Sequence, residues 1–500
     1  MFSFRSSAAP MPPSGAPGRR RRRVILVICS LSLFMTYVDS TILNVALPTI
    51  ARQFHVGIAD LQWVADAYLL VLSSFIMLIG SLADRIGRRR IFMTGLLLFS
   101  AGSLLCSVAP SVQLLIIFRM LQAIGGCMLT PVSLSILRQV FTDPAERAHA
   151  LGIWSAIFGI GIATGPILGG VLVSGIGWRS VFWVNVPVGL GAFLLARTYV
   201  PESRAPTARR VDPAGQLLVI LLLSSTTFAV IDGASLSWGS AAIVLAFSLG
   251  AVSLLLLVLI ERSRIEPLIE LHFFKSPTFS VAIGSAIACF LALSGFLFVN
   301  TLYLQEVRDD SAFTAGISLL PATVAIAASA LVSGHLVARY GSRMPMVLAG
   351  LGIAAGAALL LGLKPSTPYA LLILSYLLLG FGFGLINPPI TNTAVTGMPP
   401  GQAGVASATV STSRQVGSVL GIAIMGSLVT GASLGSGRLL ASDASAFTAS
   451  THLVWILVIA CGVACALAAA LFTGPRGLRA AASIYEDTPA TDTAAPTLTR

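Results

Sequence analysis

Apolar runs long enough to cross a membrane follow one another along most of the chain and are separated by short polar turns. A helix needs about 20 apolar residues to cross ~30 Å of hydrocarbon, and by that measure the sequence predicts fourteen membrane helices. They lie at about 24–48, 61–82, 91–110, 112–137, 149–174, 179–199, 214–233, 238–260, 277–303, 312–337, 344–363, 368–391, 404–431 and 450–473. The pattern therefore predicts an all-α membrane protein.

Composition supports this class and excludes others. Hydrophobic residues make up 56% of the 500 positions and charged residues only 10%, whereas soluble domains carry about a quarter charged residues. A net charge of +12 would suggest a nucleic-acid partner in a soluble protein, but here the basic residues lie in turns between apolar runs, so we expect none. The sequence has no phosphate loop, paired histidines or zinc pattern. We therefore expect neither enzymatic activity nor a metal or cofactor.

The basic residues also predict an orientation. Most of the 31 lysines and arginines fall on the side of the membrane that holds the N-terminus. The five assigned to the opposite side are Arg52, Arg179, Arg308, Lys364 and Arg438. Because cytoplasmic loops carry the excess of basic residues, we expect both termini to be cytoplasmic, in the cell membrane. The preference for arginine over lysine favours a bacterial source.

The turn Gly80–Arg90 between the second and third spans is repeated weakly at Gly334–Arg343. Both stretches fit Gly-x-Leu-x-x-Arg-x-Gly-x-Arg, and each lies between two apolar runs. The repeat predicts two related halves of six helices separated by two extra helices. The expected domains are a disordered tail 1–23, a bundle 24–200, a linker 201–266 with two membrane helices, a bundle 267–473 and a tail 474–500.

The first of these turns is a candidate conformational gate. Its glycines permit close approach of a neighbouring segment, and an acidic group beside guanidiniums forms pairs that can exist in one conformation and break in another. The alternative interpretation is a basic loop that only anchors a helical hairpin. The candidate gating residues are Gly80, Asp84, Arg85, Gly87 and Arg88.

Three ionisable residues fall inside the spans of the first half, which makes them functional candidates because charges at membrane depth are costly. Asp39, Asp66 and Arg119 each lie ~8–13 Å from the outer end of their helix at ~1.5 Å per residue. At one depth in one bundle they can form a coupled cluster in which an aspartate loads and releases a proton. A static salt bridge is the competing interpretation.

Polar residues elsewhere in the spans are candidates for a substrate cavity. Asn44 shares a helical face with Thr36 and Ser40. Tyr68 has an alternative interpretation as an aromatic residue of the membrane interface. A buried Arg414 must pair or line a wet cavity, its partner is not evident, and a structural hydrogen-bonding role is the alternative. The candidate cavity residues are Asn44, Tyr68, Gln122, Asn387 and Arg414.

The fifth span carries three glycines at intervals of four residues, namely Gly161, Gly165 and Gly169, together with Pro166. Such a ridge lets another helix pack backbone to backbone, and the proline removes a hydrogen bond and permits a kink. The ordinary interpretation is packing alone; the functional one adds these four residues to the gating set.

These stretches together resemble one family. The Gly80–Arg90 turn is similar to the loop signature of the major facilitator superfamily, and Asp39–Pro48 resembles the first-helix signature of its fourteen-helix drug:proton antiporters. Arg119–Gly126 resembles the fourth-helix motif of this branch, with Ala123 and Gly126 departing from it. Gly161–Gly170 resembles the motif that marks antiporters.

The resemblance covers roughly residues 24–473 and implies two six-helix bundles with a binding site between them. It implies a monomer in the lipid bilayer that exchanges protons for a small-molecule substrate by alternating access, exporting lipophilic or amphipathic, cationic drugs. Two alternatives stay open: a dedicated exporter of one endogenous metabolite or antibiotic, and a membrane sensor that does not transport.

Overall fold

The computed structural model describes residues 18–204, 212–264, 270–396, 398, 402–433 and 444–474. Within them each predicted span coincides with a helix. These are α1 Arg19–Phe54, α2 Ile58–Ile86, α3 Arg88–Ser107, α4 Val112–Val140, α5 Pro144–Gly175, α6 Ser180–Tyr199, α7 Pro213–Leu236, α8 Ala241–Ser263, α9 Pro277–Val307, α10 Ala312–Tyr340, α11 Arg343–Leu360, α12 Tyr369–Val395, α13 Ala403–Ser433 and α14 Ala444–Phe472.

Thirteen of these helices, counted over the described residues, are long and apolar enough to cross a membrane. The fourteenth is α13, a 31-residue helix that carries Arg414 and Gln415.

The first helix begins earlier in the chain than expected. Arg19–Arg23, assigned above to a disordered tail, form the first turns of α1, where Arg22 pairs with Glu146 at 2.5 Å. The rest of both expected tails, 1–17 and 475–500, and Arg438 lie outside the described residues.

Within the described residues, three of the membrane helices contain an irregular segment. In α6 a four-residue segment, Ser180–Trp183, precedes Asn185–Tyr199, and α9 ends in a π turn, Tyr303–Val307. In α12 the segment Tyr369–Leu385 gives way to Asn387–Val395, because two prolines that follow Asn387 cannot donate backbone hydrogen bonds. Backbone irregularity in a membrane is tolerated where protein or water satisfies the freed groups, so these breaks indicate candidate sites.

The helices form two bundles with a pair of extra helices beside them. In the first bundle α1 packs on α5 and α4 packs on α2 and α3; in the second, α9 packs on α13 and α11 packs on α12 and α14. The helices α7 and α8 pack on each other, and α7 also contacts α2 and α13. The structure thus confirms the predicted arrangement of six, two and six helices.

The two copies of the repeated turn have the same backbone feature. Gly87 (φ 129°) and Gly341 (φ 71°) both adopt positive φ between two membrane helices, a conformation that glycine accepts without strain. We call the membrane face with these turns and the start of α1 the near face, and the face with the α1–α2 turn the far face.

Hydrogen bonds between the bundles lie toward the far face. Three of the four come from two side-chain amides at helix ends, and the fourth joins a backbone N–H to a serine hydroxyl. They are Gln62 Nε2 to the carbonyls of Ile422 (2.9 Å) and Ala423 (2.8 Å), Gln305 Nε2 to the Val45 carbonyl (3.0 Å), and Phe313 N to Ser174 Oγ (3.1 Å). The described contacts therefore join the bundles at the far side.

The glycine ridge of α5 packs against another helix, as its spacing suggests, and that helix is α1. A Cβ placed on Gly165 would lie 2.8 Å from Cβ of Thr41, and one on Gly161 would lie 3.0 Å from Cβ of Tyr37. On a neighbouring face, the Pro166 carbonyl lies against Gly316 of α10, in the other bundle. The segment of α5 around Pro166 therefore makes a tight contact with α1 inside its own bundle and a second contact with α10 of the other bundle.

We predict that Gly165→Ala lowers the apparent unfolding temperature of the purified protein, because the new methyl group overlaps Thr41. Overpacking of this kind costs about 1–3 kcal/mol. The control is Gly152→Ala in the same helix, where a Cβ meets no atom within 4 Å. Equal stability of the two variants in a thermal unfolding assay in detergent would show that the ridge is not tightly packed.

Candidate functional site: a buried carboxylate and guanidinium

A carboxylate and a guanidinium lie paired in the interior of the first bundle. Asp39 on α1 accepts a hydrogen bond from Arg119 Nη1 on α4 at 2.6 Å, and the two side chains are 0% and 1% exposed. The other oxygen of Asp39 accepts from Gln122 Nε2 at 2.8 Å and from Asn185 Nδ2 at 2.7 Å. Three donors from two further helices thus surround one charge that water does not reach.

The guanidinium is equally well surrounded. Arg119 also donates from Nη1 to Gln122 Oε1 at 2.7 Å and from Nε to the Val64 carbonyl at 3.4 Å. Its carbon lies 4.2 Å from the centre of the Tyr68 ring, a cation–π distance. A buried ion pair offsets its desolvation cost only when further hydrogen bonds satisfy both partners, and this pair meets that condition.

Helix packing explains how these groups meet. Gly102 of α3 lies against the backbone of Gln122, where a Cβ would approach to 2.6 Å, so α3 and α4 come close. Ser103 then reaches Gln122 at 2.7 Å. Asn185 is the first residue of the second segment of α6, so the break in that helix places its amide beside Asp39.

Sequence reasoning missed two members of this cluster, Asn185 and Ser103. The stretch around Asn185 has the pattern of an aromatic turn at the membrane boundary, yet the residue is 2% exposed. A lone asparagine within an apolar run was the available signal. Ser103 carried no signal that separates it from a packing residue.

Of the three ionisable groups predicted to form one cluster, the structure brings Asp39 and Arg119 together. Asp66 is 0% exposed, and neither of its oxygens has a hydrogen-bond partner among the described residues. It lies one turn from Gln62, which bonds to α13. Asp66 therefore occupies a separate position near the bundle boundary and makes no described ion pair with Arg119.

Two of the three candidate cavity residues of the first bundle, Asn44 and Tyr68, line a small void of about 10 Å³. It is lined by Ser40, Leu43, Asn44, Ala65, Tyr68, Leu69, Arg119 and Ile422. Tyr68 is 0% exposed, so its interpretation as an interface aromatic is wrong. The void has room for about one water molecule. The third candidate, Gln122, does not line it and is bonded to Asp39 and Arg119.

The candidate cavity residues of the second bundle also meet each other. Arg414 Nη2 donates to Thr391 Oγ1 at 2.6 Å and to the Asn387 carbonyl at 3.4 Å. This contact identifies the partners that the sequence left open, a hydroxyl and a carbonyl in the segment of α12 that follows its break. The two halves thus each hold a deep arginine, in different surroundings.

The candidate gate is held to the rest of the first bundle. Asp84 accepts two hydrogen bonds from Arg88, at 2.8 and 3.0 Å, across Gly87. Glu202, which sequence analysis did not select, accepts from the Arg89 backbone N–H at 3.2 Å and lies 3.6 Å from Arg90 Nε. A Cβ on Gly87 would collide with Glu202 at 2.6 Å.

The other two gating candidates lie on more open surfaces of the same helix. A Cβ added to Gly80 would meet no atom within 4 Å, so this face of α2 has open space beside it. The Arg85 side chain is exposed on the near face. The structure thus brings three of the five candidates, Asp84, Gly87 and Arg88, together at the turn.

We predict that Asn185→Leu destabilises the protein by about 1–3 kcal/mol, because it removes a donor from a buried carboxylate while keeping the side-chain size. Unfolding in detergent measures the loss, and Asn392→Leu, at an exposed position, is the matched control. A double-mutant cycle with Asp39→Asn should be non-additive by more than about 0.5 kcal/mol. Additive effects would mean that the contact contributes nothing.

Comparison with known proteins now supplies a family. The family model described as Major Facilitator Superfamily matches residues 29–422. The multidrug resistance protein Stp of Mycobacterium tuberculosis is 39% identical over 410 residues, which cover 82% of this chain and 76% of that protein. The multidrug efflux pump LfrA of Mycolicibacterium smegmatis is 34% identical, with 84% and 83% covered. The methylenomycin A resistance protein of Streptomyces coelicolor is 33% identical, with 85% and 90% covered.

Solved structures agree on the fold. A bacterial homologue of the human lysosomal transporter Spinster, in an inward-facing and unoccupied conformation, superposes with a TM-score of 0.62 at 18% identity, covering 94% of this chain and 99% of that one. The nucleoside transporter NupG gives 0.61 at 13% identity, covering 90% and 98%. With the family model and the curated relatives, these comparisons establish that the chain belongs to the Major Facilitator Superfamily and is a transporter.

Proposed function

We propose that this transporter exports lipophilic or amphipathic drugs or toxic compounds across the cytoplasmic membrane in exchange for protons, by alternating access. The curated relatives support the export of drugs, since Stp and LfrA are named for multidrug resistance and efflux. The observation that supports proton coupling is the buried ion pair of Asp39 and Arg119. Asp39 is a titratable group inside a membrane helix, and it is bonded to the side chains of Arg119, Gln122 and Asn185.

The direction of export rests on the orientation. With both termini cytoplasmic, as the basic residues favour, the near face is cytoplasmic and the far face is external. The far-face hydrogen bonds between the bundles then close the external side. This arrangement corresponds to a conformation that loads substrate from the cytoplasm and must break those contacts to release it.

Protonation of Asp39 gives a physical route to that change. A neutral carboxyl loses its attraction for the Arg119 guanidinium and leaves a buried cation uncompensated, which is costly. Asp39 lies on α1, the helix that carries the α5 glycine contact and the Val45 carbonyl bonded by Gln305. A shift of α1 in response to the proton therefore reaches the bundle boundary directly.

Asp66 is the second candidate proton carrier. A charged carboxylate without partners in a dry interior is costly, so this residue gains from taking up a proton or from finding a partner in another conformation. Its position beside α13 places that event at the bundle boundary. The Asp84–Arg88 turn and its Glu202 contact, at the near face, supply the gate in this proposal.

We predict that Asp39→Asn abolishes proton-coupled efflux, because the isosteric amide cannot load or release the proton. The protein should still reach the membrane. The assay is ethidium transport driven by a pH gradient in inverted membrane vesicles, with loss of at least tenfold in rate. Asp309→Asn, at an exposed position, is the control and should transport normally.

Asp66→Asn is tested in the same vesicles. Normal transport by both the Asp39 and the Asp66 variants would remove the carboxylates from the mechanism. A pH gradient that drives no transport of any tested compound, with protein present in the membrane, would favour the non-transporting sensor.

A dedicated exporter of a single compound is the second candidate. Some relatives are named for one antibiotic, such as the methylenomycin A and puromycin resistance proteins. Efflux of several unrelated dyes supports the multidrug function, whereas transport confined to one compound supports the dedicated exporter.

A further inference from the structure

Arg414 is a deep cation that no described carboxylate neutralises. The ion pairs among the described residues include Asp39 with Arg119 but none with Arg414. Its described hydrogen bonds go to neutral acceptors, the Thr391 hydroxyl and the Asn387 carbonyl. A guanidinium inside a membrane protein needs a counter-charge or a wet cavity, so this neighbourhood is electrostatically incomplete.

Two polar atoms at the same place are also without partners. Arg414 Nε and Asn387 Oδ1 are buried and make no described hydrogen bond. Nε and the terminal nitrogens form the planar fork that matches a carboxylate with two parallel hydrogen bonds. The fork therefore has donor capacity left for a bound acidic group. Asn387 Oδ1 is an acceptor, so it suits a donor group on the same molecule.

The surroundings of Arg414 suit an amphipathic molecule. The Phe290 ring of α9 lies 5.9 Å from the guanidinium carbon and provides an apolar wall. Tyr37 of α1 lies within electrostatic range of Arg414 and also of Tyr68, whose ring underlies Arg119. Arg414 thus faces the boundary between the bundles. The ion pair of Asp39 and Arg119 lies across that boundary, in the first bundle.

Accessibility agrees with this placement. Arg414, Asn387, Thr391 and Tyr37 are all partly exposed, although they lie in the middle of long membrane helices. Partly exposed polar groups at that depth are found where they line a cavity rather than lipid. Arg119, in contrast, is 1% exposed and fully surrounded by protein.

We propose that the Arg414 guanidinium, held in place by Thr391 and the Asn387 carbonyl, binds a carboxylate or sulfonate group of the transported compound. This inference rests on the proposed function and specifies its substrate class: amphipathic molecules that carry an acidic group, either organic anions or zwitterions. It differs from the expectation of purely cationic substrates. The acidic group neutralises Arg414, and the apolar part lies against Phe290 and Tyr37.

The test compares two probes that differ in one charge, fluorescein and its methyl ester, which lacks the free carboxylate. Their binding to the purified protein in lipid nanodiscs is measured by fluorescence anisotropy. The wild-type protein should bind fluorescein at least tenfold more tightly than the ester, a difference of about 1.4 kcal/mol. Arg414→Gln should reduce that ratio to about one, while Arg339→Gln, at an exposed near-face position, should leave it unchanged.

Arg414→Lys covers the case in which the glutamine variant does not fold. It keeps the positive charge but lacks the planar fork, so it should lose affinity for fluorescein several-fold more than for the ester. Equal losses for the two probes would overturn the proposal, as would a wild-type protein without a preference for the carboxylate or an Arg414→Gln variant that keeps the preference.

Failure of this site and failure of the proposed function give different results. If ethidium is transported under a pH gradient but no carboxylate preference is found, the export function stands and the anion site is wrong. If the carboxylate preference depends on Arg414 but a pH gradient drives transport of neither ethidium nor fluorescein, the anion site stands and proton-coupled export is wrong.

Discussion

The structure depends on keeping a charged aspartate and a charged arginine together in a region that water does not reach. Separately, each would impose a large desolvation cost; paired, and bonded to Gln122, Asn185 and the Val64 carbonyl, both are satisfied. Because the contributing groups come from α1, α2, α4 and α6, the position of each helix depends on the charge of Asp39. In the proposed mechanism, a proton on Asp39 therefore acts on the contacts of four helices of the first bundle.

The second bundle repeats the architecture of the first but not its electrostatics. Gly87 and Gly341 share positive φ at equivalent turns, and Gly417 and Gly421 pack on α9 as the α5 ridge packs on α1. The deep arginines differ, since Arg119 has a carboxylate and Arg414 has, among the described residues, a hydroxyl and a carbonyl. One deep arginine that is paired with a carboxylate, and another that has no carboxylate partner among the described residues, suit the proposed exchange of protons for a ligand.

Much of the fold followed from the sequence, because membrane helices are recognisable by length and hydropathy and each predicted span coincides with a helix. The pairing of Asp39 with Arg119 was also within reach, since both are ionisable residues at one depth. The rest depended on packing that periodicity does not contain. Asn185 reaches the site because α6 breaks. Asp66 lies near α13 and apart from Arg119. Tyr68 lies in the core beside the Arg119 guanidinium, although its sequence position suggested the membrane interface.

The central claim is that binding of cargo and binding of a proton compete through Asp39. The most direct measurement is proton release from purified protein in weakly buffered detergent solution on addition of a transported dye. The account predicts a pH change that saturates with the dye and is absent in Asp39→Asn. Dye binding with no proton release from the wild-type protein, or release of the same size from the Asp39→Asn variant, would contradict it.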